Sequence, residues 1–333
     1  MKLTIAIPTY NRNQILIDNL RLLLPQLTAE CCVRIFDNCS EIPVAETLRP
    51  LLESFPSADC RVIRNPFNIG ANANVMHCFE KCETEWIWVI GDDDSVVPEA
   101  IATLFRGMKQ FPEALFVSYS TAAYPIEATT SWRGLAGFIE GMGSFSNTLF
   151  LSTSIYRVNA LALGMRIGYQ FAYSGAPHLA ALLVCLTDES QTCFCADMIV
   201  RQNAPEDASE RWPLIAHSLA VGTLFDLPLP ATVRAALAAK VLATFPAMES
   251  ILMQLVLLAV KEGDPRNSLA YYDQIQARLY RYDRVPLRRA KRILYRLLLR
   301  FPRMGCWFVA RAYRATRGRD IDLALLHDRF ARM

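Results

Sequence analysis

Apolar and polar residues follow two rhythms along this chain, and the change between them divides it. Over residues 1–120, short apolar runs rich in β-branched and aromatic residues alternate with stretches of helical spacing. The runs Leu3–Ile7, Cys32–Phe36, Arg61–Arg64, Trp86–Ile90 and Leu115–Ser120 are expected strands. Between them, Gln14–Leu24, Val44–Phe55, Ala71–Cys82 and Pro98–Gln110 are expected helices. The first stops at Pro25, and the last starts with Pro98 in its first turn behind Ser95. Strand–helix alternation of this kind predicts an α/β fold, with a mostly parallel, Rossmann-like sheet covered by helices on both faces.

The rhythm is lost over 121–150, where Thr, Ser and Gly accumulate and only a short helix near Leu135–Glu140 is expected. A strand near Thr148–Tyr156 follows. Ser174-Gly175-Ala176-Pro177 then opens a helix through His178–Leu186, and Thr192–Val200 is the expected last strand. These elements make up a first domain, residues 1–210. From Trp212 the pattern is helical throughout, so residues 211–333 form a second, all-helical region. The apolar stretch Val241–Val260 is interrupted by Pro246, Glu249 and Gln254, which points to a packed helix pair and not to a membrane span.

Composition rules out a disordered chain: 53% of the residues are hydrophobic and 20% charged. The net charge of +3 also rules out a polycation as a whole. The positive charge is nonetheless concentrated. Arg288, Arg289, Lys291, Arg292, Arg296, Arg300, Arg303, Arg311, Arg314 and Arg317 are interleaved with Leu, Phe and Trp307, and no acid intervenes before Asp320. The segment Arg288–Arg319 therefore has the composition of a helix pair lying on an anionic membrane surface. No recognition motif surrounds it, so nucleic acid is not the expected partner. The ten cysteines form no CxxC pair, and most lie in apolar segments, as expected of reduced thiols. No charged segment followed by an apolar one precedes Leu3. The expectation is a cytoplasmic protein, peripheral on the inner face of the cytoplasmic membrane.

The densest chemical signal is Asp92-Asp93-Asp94, which follows Trp86–Ile90 and Gly91. Three adjacent carboxylates at the end of a buried strand repel one another and require compensation. A hard divalent cation that also holds diphosphate oxygens supplies it, at the sheet edge where α/β proteins bind ligands.

Four segments, in order, resemble family 2 glycosyltransferases, which have the GT-A fold. They are Leu3–Arg12 with Pro8-Thr9-Tyr10-Asn11, Phe36–Ser40, Asn65–Asn72, and Trp86–Asp94 with Pro98. The resemblance covers roughly residues 1–120 and weakens towards 205. It implies an enzyme that moves a sugar, with inversion, from a nucleotide-sugar donor to a hydroxyl of a saccharide acceptor. Pro8, Thr9, Tyr10 and Asn11 would lie against the nucleoside. Asp37 would accept an N–H of the base, a role compatible with capping the turn Asn38-Cys39-Ser40. Asn68 and Gly70 open a helix whose N–H groups favour phosphate oxygens, or simply cap it. The family's metal carboxylate lies five residues before a proline, which is Asp93. Asp92 would face the ribose or share the ion, and Asp94 would be an accessory ligand. Oxygen-only ligands favour Mn²⁺ or Mg²⁺. Family habit and the basic tail together imply a lipid-linked acceptor, as in surface polysaccharide or O-antigen synthesis.

The family's general base is an acid at the start of a later helix. In this chain that place holds Ser174-Gly175-Ala176-Pro177-His178, and His178 is the candidate base, kept neutral by the helix N-terminus. Glu206 and Asp207 are the second choice, while Asp188 and Glu189 belong to the far end of the helix. Two alternatives stand beside this reading. One is a catalytically inactive nucleotide-sugar-binding module. The other is a sugar nucleotidyltransferase, which would carry a Gly-rich basic loop where Pro8-Thr9-Tyr10-Asn11 stands.

Overall fold

The computed structural model of the chain describes residues 2–201, 214–244, 248–282 and 288–317. It divides into two compact units. The first comprises residues 1–204 together with Leu227–Lys240, and the second comprises residues 205–226 and 241–333. A segment beyond residue 210, Leu227–Lys240, goes with the first unit.

The first unit is built on an eight-stranded sheet in the order β3-β2-β1-β4-β8-β6-β9-β7. Its strands are β1 (Leu3–Thr9), β2 (Cys31–Asp37), β3 (Cys60–Arg64), β4 (Trp86–Val89), β6 (Ala114–Ser120), β7 (Thr130–Arg133), β8 (Ser154–Arg157) and β9 (Gln191–Met198). The first four are parallel neighbours, and β6 is parallel to β9. The central strands β1, β2, β4 and β6 are buried almost throughout, as expected where helices cover both faces. The edge strands β3 and β7 are half-buried to exposed. The helices α1 (Asn13–Leu23), α2 (Val44–Glu53), α3 (Ala71–Glu80) and α4 (Ala100–Gln110) connect the early strands. The apolar faces of α1, α2 and α4, with Leu16, Leu20, Leu48 and Leu104, pack on Ile5, Val33, Trp88 and Val117 of the sheet.

The sheet is mostly parallel, as expected, with two antiparallel strands. Strand β8 runs antiparallel between β4 and β6, and β7 pairs antiparallel with β9 at the edge. The expected long strand Thr148–Tyr156 is reduced to β8. The residues before it form the short helix α6 (Phe145–Leu149) and a tight 3₁₀ turn, Leu151–Thr153. Helix α5 (Gly134–Gly141) falls where a short helix was expected. Lys240 caps its last turn, donating to the carbonyls of Met142 at 2.5 Å and Glu140 at 3.3 Å. The first turn of α4 also differs from expectation. Ser95–Val96 form a short strand, β5, paired with β10 (Val200–Arg201), and the helix starts only at Ala100. Glu99 holds a left-handed φ of 62°, which breaks the chain direction between Pro98 and the helix.

Helices α7 (Met165–Gln170) and α8 (Pro177–Cys185) complete the unit. Seven of the nine residues of α8 are buried, because the helix is apolar all round. Helix α10 (Ala231–Thr244) belongs to this unit up to Lys240.

The described residues of the second unit are helical, as expected. They include α9 (Leu214–Gly222), α11 (Met248–Glu262), α12 (Arg266–Arg278), α13 (Arg288–Arg300) and α14 (Pro302–Arg317). Helix α14 approaches α13 closely at Gly305, where a Cβ would lie 2.4 Å from the Leu298 carbonyl oxygen, so only glycine fits. No described helix is long and apolar enough to cross a membrane. All ten cysteines are free.

Candidate active site

Four parallel strands end at one sheet edge, and the loops that follow them are stitched together there. The Asn38 N–H donates to the Thr9 carbonyl at 2.9 Å, and the Asn65 N–H donates to the Asp37 carbonyl at 2.9 Å. The Asn11 N–H donates to Ser40 Oγ at 2.9 Å, and Asn11 Oδ1 accepts from the Glu41 N–H at 2.8 Å. Asn11 adopts a left-handed φ of 55° to do so, a conformation that asparagine tolerates better than most residues. Beside it, Tyr10 presents an exposed ring.

Asp37 is fully buried and acts as the hub of the second loop. Its carboxylate accepts from the Ser40 N–H at 2.8 Å, from the Val44 N–H at 3.3 Å and from Arg64 Nη1 at 2.5 Å. Burial alone would raise its pKa, but the Ser40 and Arg64 hydrogen bonds outweigh burial, and the net shift is downward. The capping role expected for Asp37 is thus present in the structure.

Asn68 and Gly70 belong to a side-chain amide network that sequence reading did not anticipate. Asn38 Nδ2 donates to Asn68 Oδ1 at 2.7 Å, and the same oxygen accepts the Gly70 N–H at 2.8 Å. Asn65 Nδ2 donates to Asn38 Oδ1 and Asn74 Oδ1 at 3.0 and 2.9 Å, and Asn74 Nδ2 donates to the Phe36 carbonyl at 2.9 Å. Asn68 therefore closes a turn on the Gly70 N–H and locks the loop after β3 to the end of β2, and no side chain caps α3. Gly70, with φ of 85°, enters α3 through a conformation that favours glycine.

The acidic triplet sits immediately beyond β4, the central parallel strand. Its three carboxylates meet different surroundings. Asp92 is buried. It accepts from Thr9 Oγ1 at 2.7 Å and from Arg12 Nη1 at 3.2 Å, while Asn19 Nδ2 holds its carbonyl oxygen at 2.5 Å. The Asp93 side chain is 42% exposed, and Arg12 Nη1 reaches its Oδ2 at 2.9 Å. Asp94 is buried and accepts from Ser152 Oγ at 2.6 Å, while the same hydroxyl accepts the Gly91 N–H at 2.8 Å. Burial, with some repulsion from Asp93, raises the pKa of Asp92 against the Thr9 and Arg12 contacts. Burial, reinforced by Asp93 and Asp92, pushes Asp94 up to about 7 despite the Ser152 hydrogen bond.

Gly91 lets two of these carboxylates converge. A Cβ on it would lie 2.7 Å from Asp94 Oδ2 and 3.0 Å from Asp93 Oδ1, so any side chain there would occupy the space between them. No group of three or more His, Cys, Asp or Glu that could hold an ion occurs among the described residues. The carboxylates of the acidic triplet are hard oxygen donors, and by themselves they do not form a group that could hold an ion. That donor set fits Mg²⁺ or Mn²⁺ bound together with substrate phosphates. Arg12, Asn19 and Ser152 were missed in the sequence. Arg12 stands inside the motif quoted above, but its partners lie about eighty residues away, and nothing local discloses them.

His178 departs most from expectation. Its residue is 3% exposed at the start of α8, and its ring packs edge-on against Tyr156. Burial pushes its pKa down to about 4, against hydrogen bonds to the backbone of Thr148 and Leu149. Burial disfavours the charged ring here, where the helix N-terminus was expected to do so. The ring is enclosed where an accessible base was expected, and a conjugate acid of pKa 4 makes it a weak proton acceptor. Among the other acids considered, Asp188 and Glu189 lie in the turn after α8. Glu206 and Asp207 lie outside the described residues.

Comparisons with known proteins bear on the family and the fold. The model of the glycosyl transferase family 2 matches residues 4–174. Among solved structures, residues 1–349 of TarS from S. aureus align with a TM-score of 0.63 at 17% identity, covering 95% of this chain and 92% of that one. The same protein in complex with UDP-GlcNAc aligns with a TM-score of 0.64 at 17% identity over the same shares. The mannosyltransferase PcManGT from Pyrobaculum calidifontis, in complex with GDP-Man and Mn²⁺, aligns with a TM-score of 0.54 at 12% identity, covering 96% and 88%. No curated protein matches the chain. With its GT-A sheet, its acidic triplet at the end of β4 and a family match over half its length, the chain is a glycosyltransferase and belongs to glycosyl transferase family 2.

Proposed function

We propose that the chain moves a sugar, with inversion, from a nucleoside-diphosphate sugar to a hydroxyl of a saccharide acceptor. The observation that carries this reading is the Asp93 carboxylate, half-exposed at the edge where the loops of Thr9–Asn11, Asp37–Ser40 and Asn65–Gly70 meet. In this reading Tyr10 stacks on the nucleobase, the backbone of Pro8–Asn11 lines the nucleoside, and Asp37 keeps the loop beside the base in shape. Asp93 and Asp94 hold Mg²⁺ or Mn²⁺, with Asp92 turned to the ribose. The bound ion supplies Lewis-acid neutralisation of the departing diphosphate. TarS with UDP-GlcNAc and PcManGT with GDP-Man and Mn²⁺ support the donor class and the metal.

The acceptor proton needs a base. The enclosure of His178 turns the choice to Glu206 and Asp207 by sequence position. It also supports one rival reading, a module that binds the donor without turnover. The acceptor we propose is a lipid-linked saccharide of the kind built into surface polysaccharides such as O-antigen, on the strength of the basic helices α13 and α14.

The deciding experiment measures thermal unfolding with UDP, GDP, CDP and dTDP, with and without Mn²⁺. One nucleotide should stabilise the protein only when the metal is present, by about 2.7 kcal/mol at a hundredfold excess over its Kd. Equal stabilisation by all four after chelation overturns the proposal. Metal-dependent release of the nucleotide from the matching donor separates an enzyme from a binding module.

A further inference from the structure

Seven of the eighteen large apolar side chains exposed among the described residues fall within one stretch of α13 and α14. They are Ile293, Leu294, Leu297, Phe301, Met304, Trp307 and Phe308. On α13, Ile293, Leu294 and Leu297 share one helical face, with Phe301 in the bend just after the helix, while Leu298 and Leu299 are buried on the inner side. On α14, Met304, Trp307 and Phe308 share a face, and Gly305 is the point of contact with the Leu298 backbone. Arg300, Arg303, Arg311 and Arg314 are exposed along the same two helices. The Arg311 guanidinium lies 5.4 Å from the centre of the Trp307 ring. Arg296 is paired with Asp273 at 2.9 Å.

Exposed apolar side chains in such number normally mark a surface that meets something else. The surrounding charge selects the partner. A second copy of this face would bring its own arginines against these, with no acid in the segment Arg288–Arg317 to offset them. A nucleic acid would use the arginines but would give no reason to expose Ile293, Leu294 and Leu297. An anionic bilayer uses both, because its headgroups attract the guanidinium groups and its acyl boundary takes up the apolar row. Trp307 and Phe308 are side chains that settle at that boundary.

We propose that α13 and α14 form a monotopic docking face for anionic lipid, with Ile293, Leu297, Phe301, Trp307 and Phe308 inserted and Arg300, Arg303, Arg311 and Arg314 at headgroup level. The face attaches the protein without crossing the bilayer, consistent with the absence of a spanning helix among the described residues. It does not rest on the proposed donor chemistry and is tested without turnover.

The full chain is sedimented with vesicles of phosphatidylcholine alone and of phosphatidylcholine with phosphatidylglycerol, and Trp307 is followed by fluorescence against W307F. The protein should pellet with the anionic vesicles only, with a blue shift that W307F lacks. Two variants at exposed positions separate the two contributions: I293S/L297S/F308S, and R300Q/R303Q/R311Q. Each should weaken anionic vesicle binding at least tenfold while keeping the unfolding temperature of the parent. Wild-type protein left in the supernatant at low salt overturns the proposal. So does unchanged binding of the serine variant, which would reduce the effect to charge alone. Concentration-dependent dimerisation that the serine variant abolishes, without vesicle binding, assigns the face to a second copy instead.

Discussion

Arg12 Nη1 lies 2.9 Å from Asp93 Oδ2 and, through the same nitrogen, 3.2 Å from Asp92 Oδ1. One guanidinium therefore ties the loop after β1 to two of the three acids after β4. Arg12→Gln leaves buried Asp92 without that cation and should lower stability by about 1–2 kcal/mol. That is less than the 3–5 kcal/mol typical of a fully buried pair, since Arg12 is partly exposed. The loss shows as a lower midpoint in urea unfolding with an unchanged slope. Mn²⁺ together with the cognate nucleotide should recover more stability in R12Q than in the parent, because the ion no longer competes with the guanidinium for Asp93.

Asp93 is the acid whose replacement separates chemistry from folding. Its side chain is half-exposed, and Asp92 and Asp94 keep their contacts to Thr9 and Ser152 when it is changed. Asp93→Asn should leave the unfolding temperature within a few degrees of the parent while lowering transfer by about 10²–10³-fold, the scale of losing one group that neutralises transition-state charge. Chelation of the parent should produce a loss of similar size, and chelation of D93N almost no further loss. Transfer assayed with the matching donor, with and without EDTA, checks both.

Gly91→Ala tests whether the gap between Asp93 and Asp94 is used. The new methyl meets both carboxylate oxygens closer than ordinary contact, at 2.7 and 3.0 Å, so at least one must move. The Asp94 oxygen is anchored by Ser152, which leaves Asp93 as the group to give way. Metal-dependent stabilisation by the nucleotide should fall at least tenfold in affinity, with a fold cost of about 1–3 kcal/mol from overpacking. A titration with metal at fixed nucleotide reads this directly. Unchanged metal affinity would show that the gap is idle.

Much of this site was legible because its landmarks are local. Leu3–Ile7, Cys32–Phe36 and Trp86–Ile90 announce themselves as buried strands, and Thr9, Asp37 and the triplet stand at or just past strand ends that the sheet brings together. What escaped is non-local. A strand was expected within Thr148–Tyr156, but not its antiparallel place between β4 and β6, nor the turn before it that delivers Ser152 to Asp94. The pair β5–β10 is two residues long, too short to leave a pattern. Pro98 suggested a helix start that the left-handed Glu99 delays. The enclosure of His178 had a signal that could have been weighed, since Pro177–Cys185 is apolar on every side and such a helix buries all its faces.

That enclosure has a measurable consequence in pH. The folded pKa of His178, about 4, lies below the ordinary value near 6.5, so between these limits the unfolded chain binds a proton that the folded protein does not. The contribution of neutral His178 is complete above pH 6.5 and is lost as pH falls towards 4, by which point the loss amounts to about 3 kcal/mol. Asp94, with its pKa near 7, works in the opposite direction over the same range, so the parent profile alone is ambiguous. The difference between the parent and His178→Gln isolates the histidine. H178Q should lose less stability than the parent between pH 7 and pH 4.5, and thermal unfolding across that interval checks it. Transfer by the folded fraction of H178Q at saturating acceptor should stay within a few-fold of the parent if the ring only packs against Tyr156. A loss of a thousandfold, with the unfolding curve preserved, would return the base role to His178 and require α8 to open during turnover.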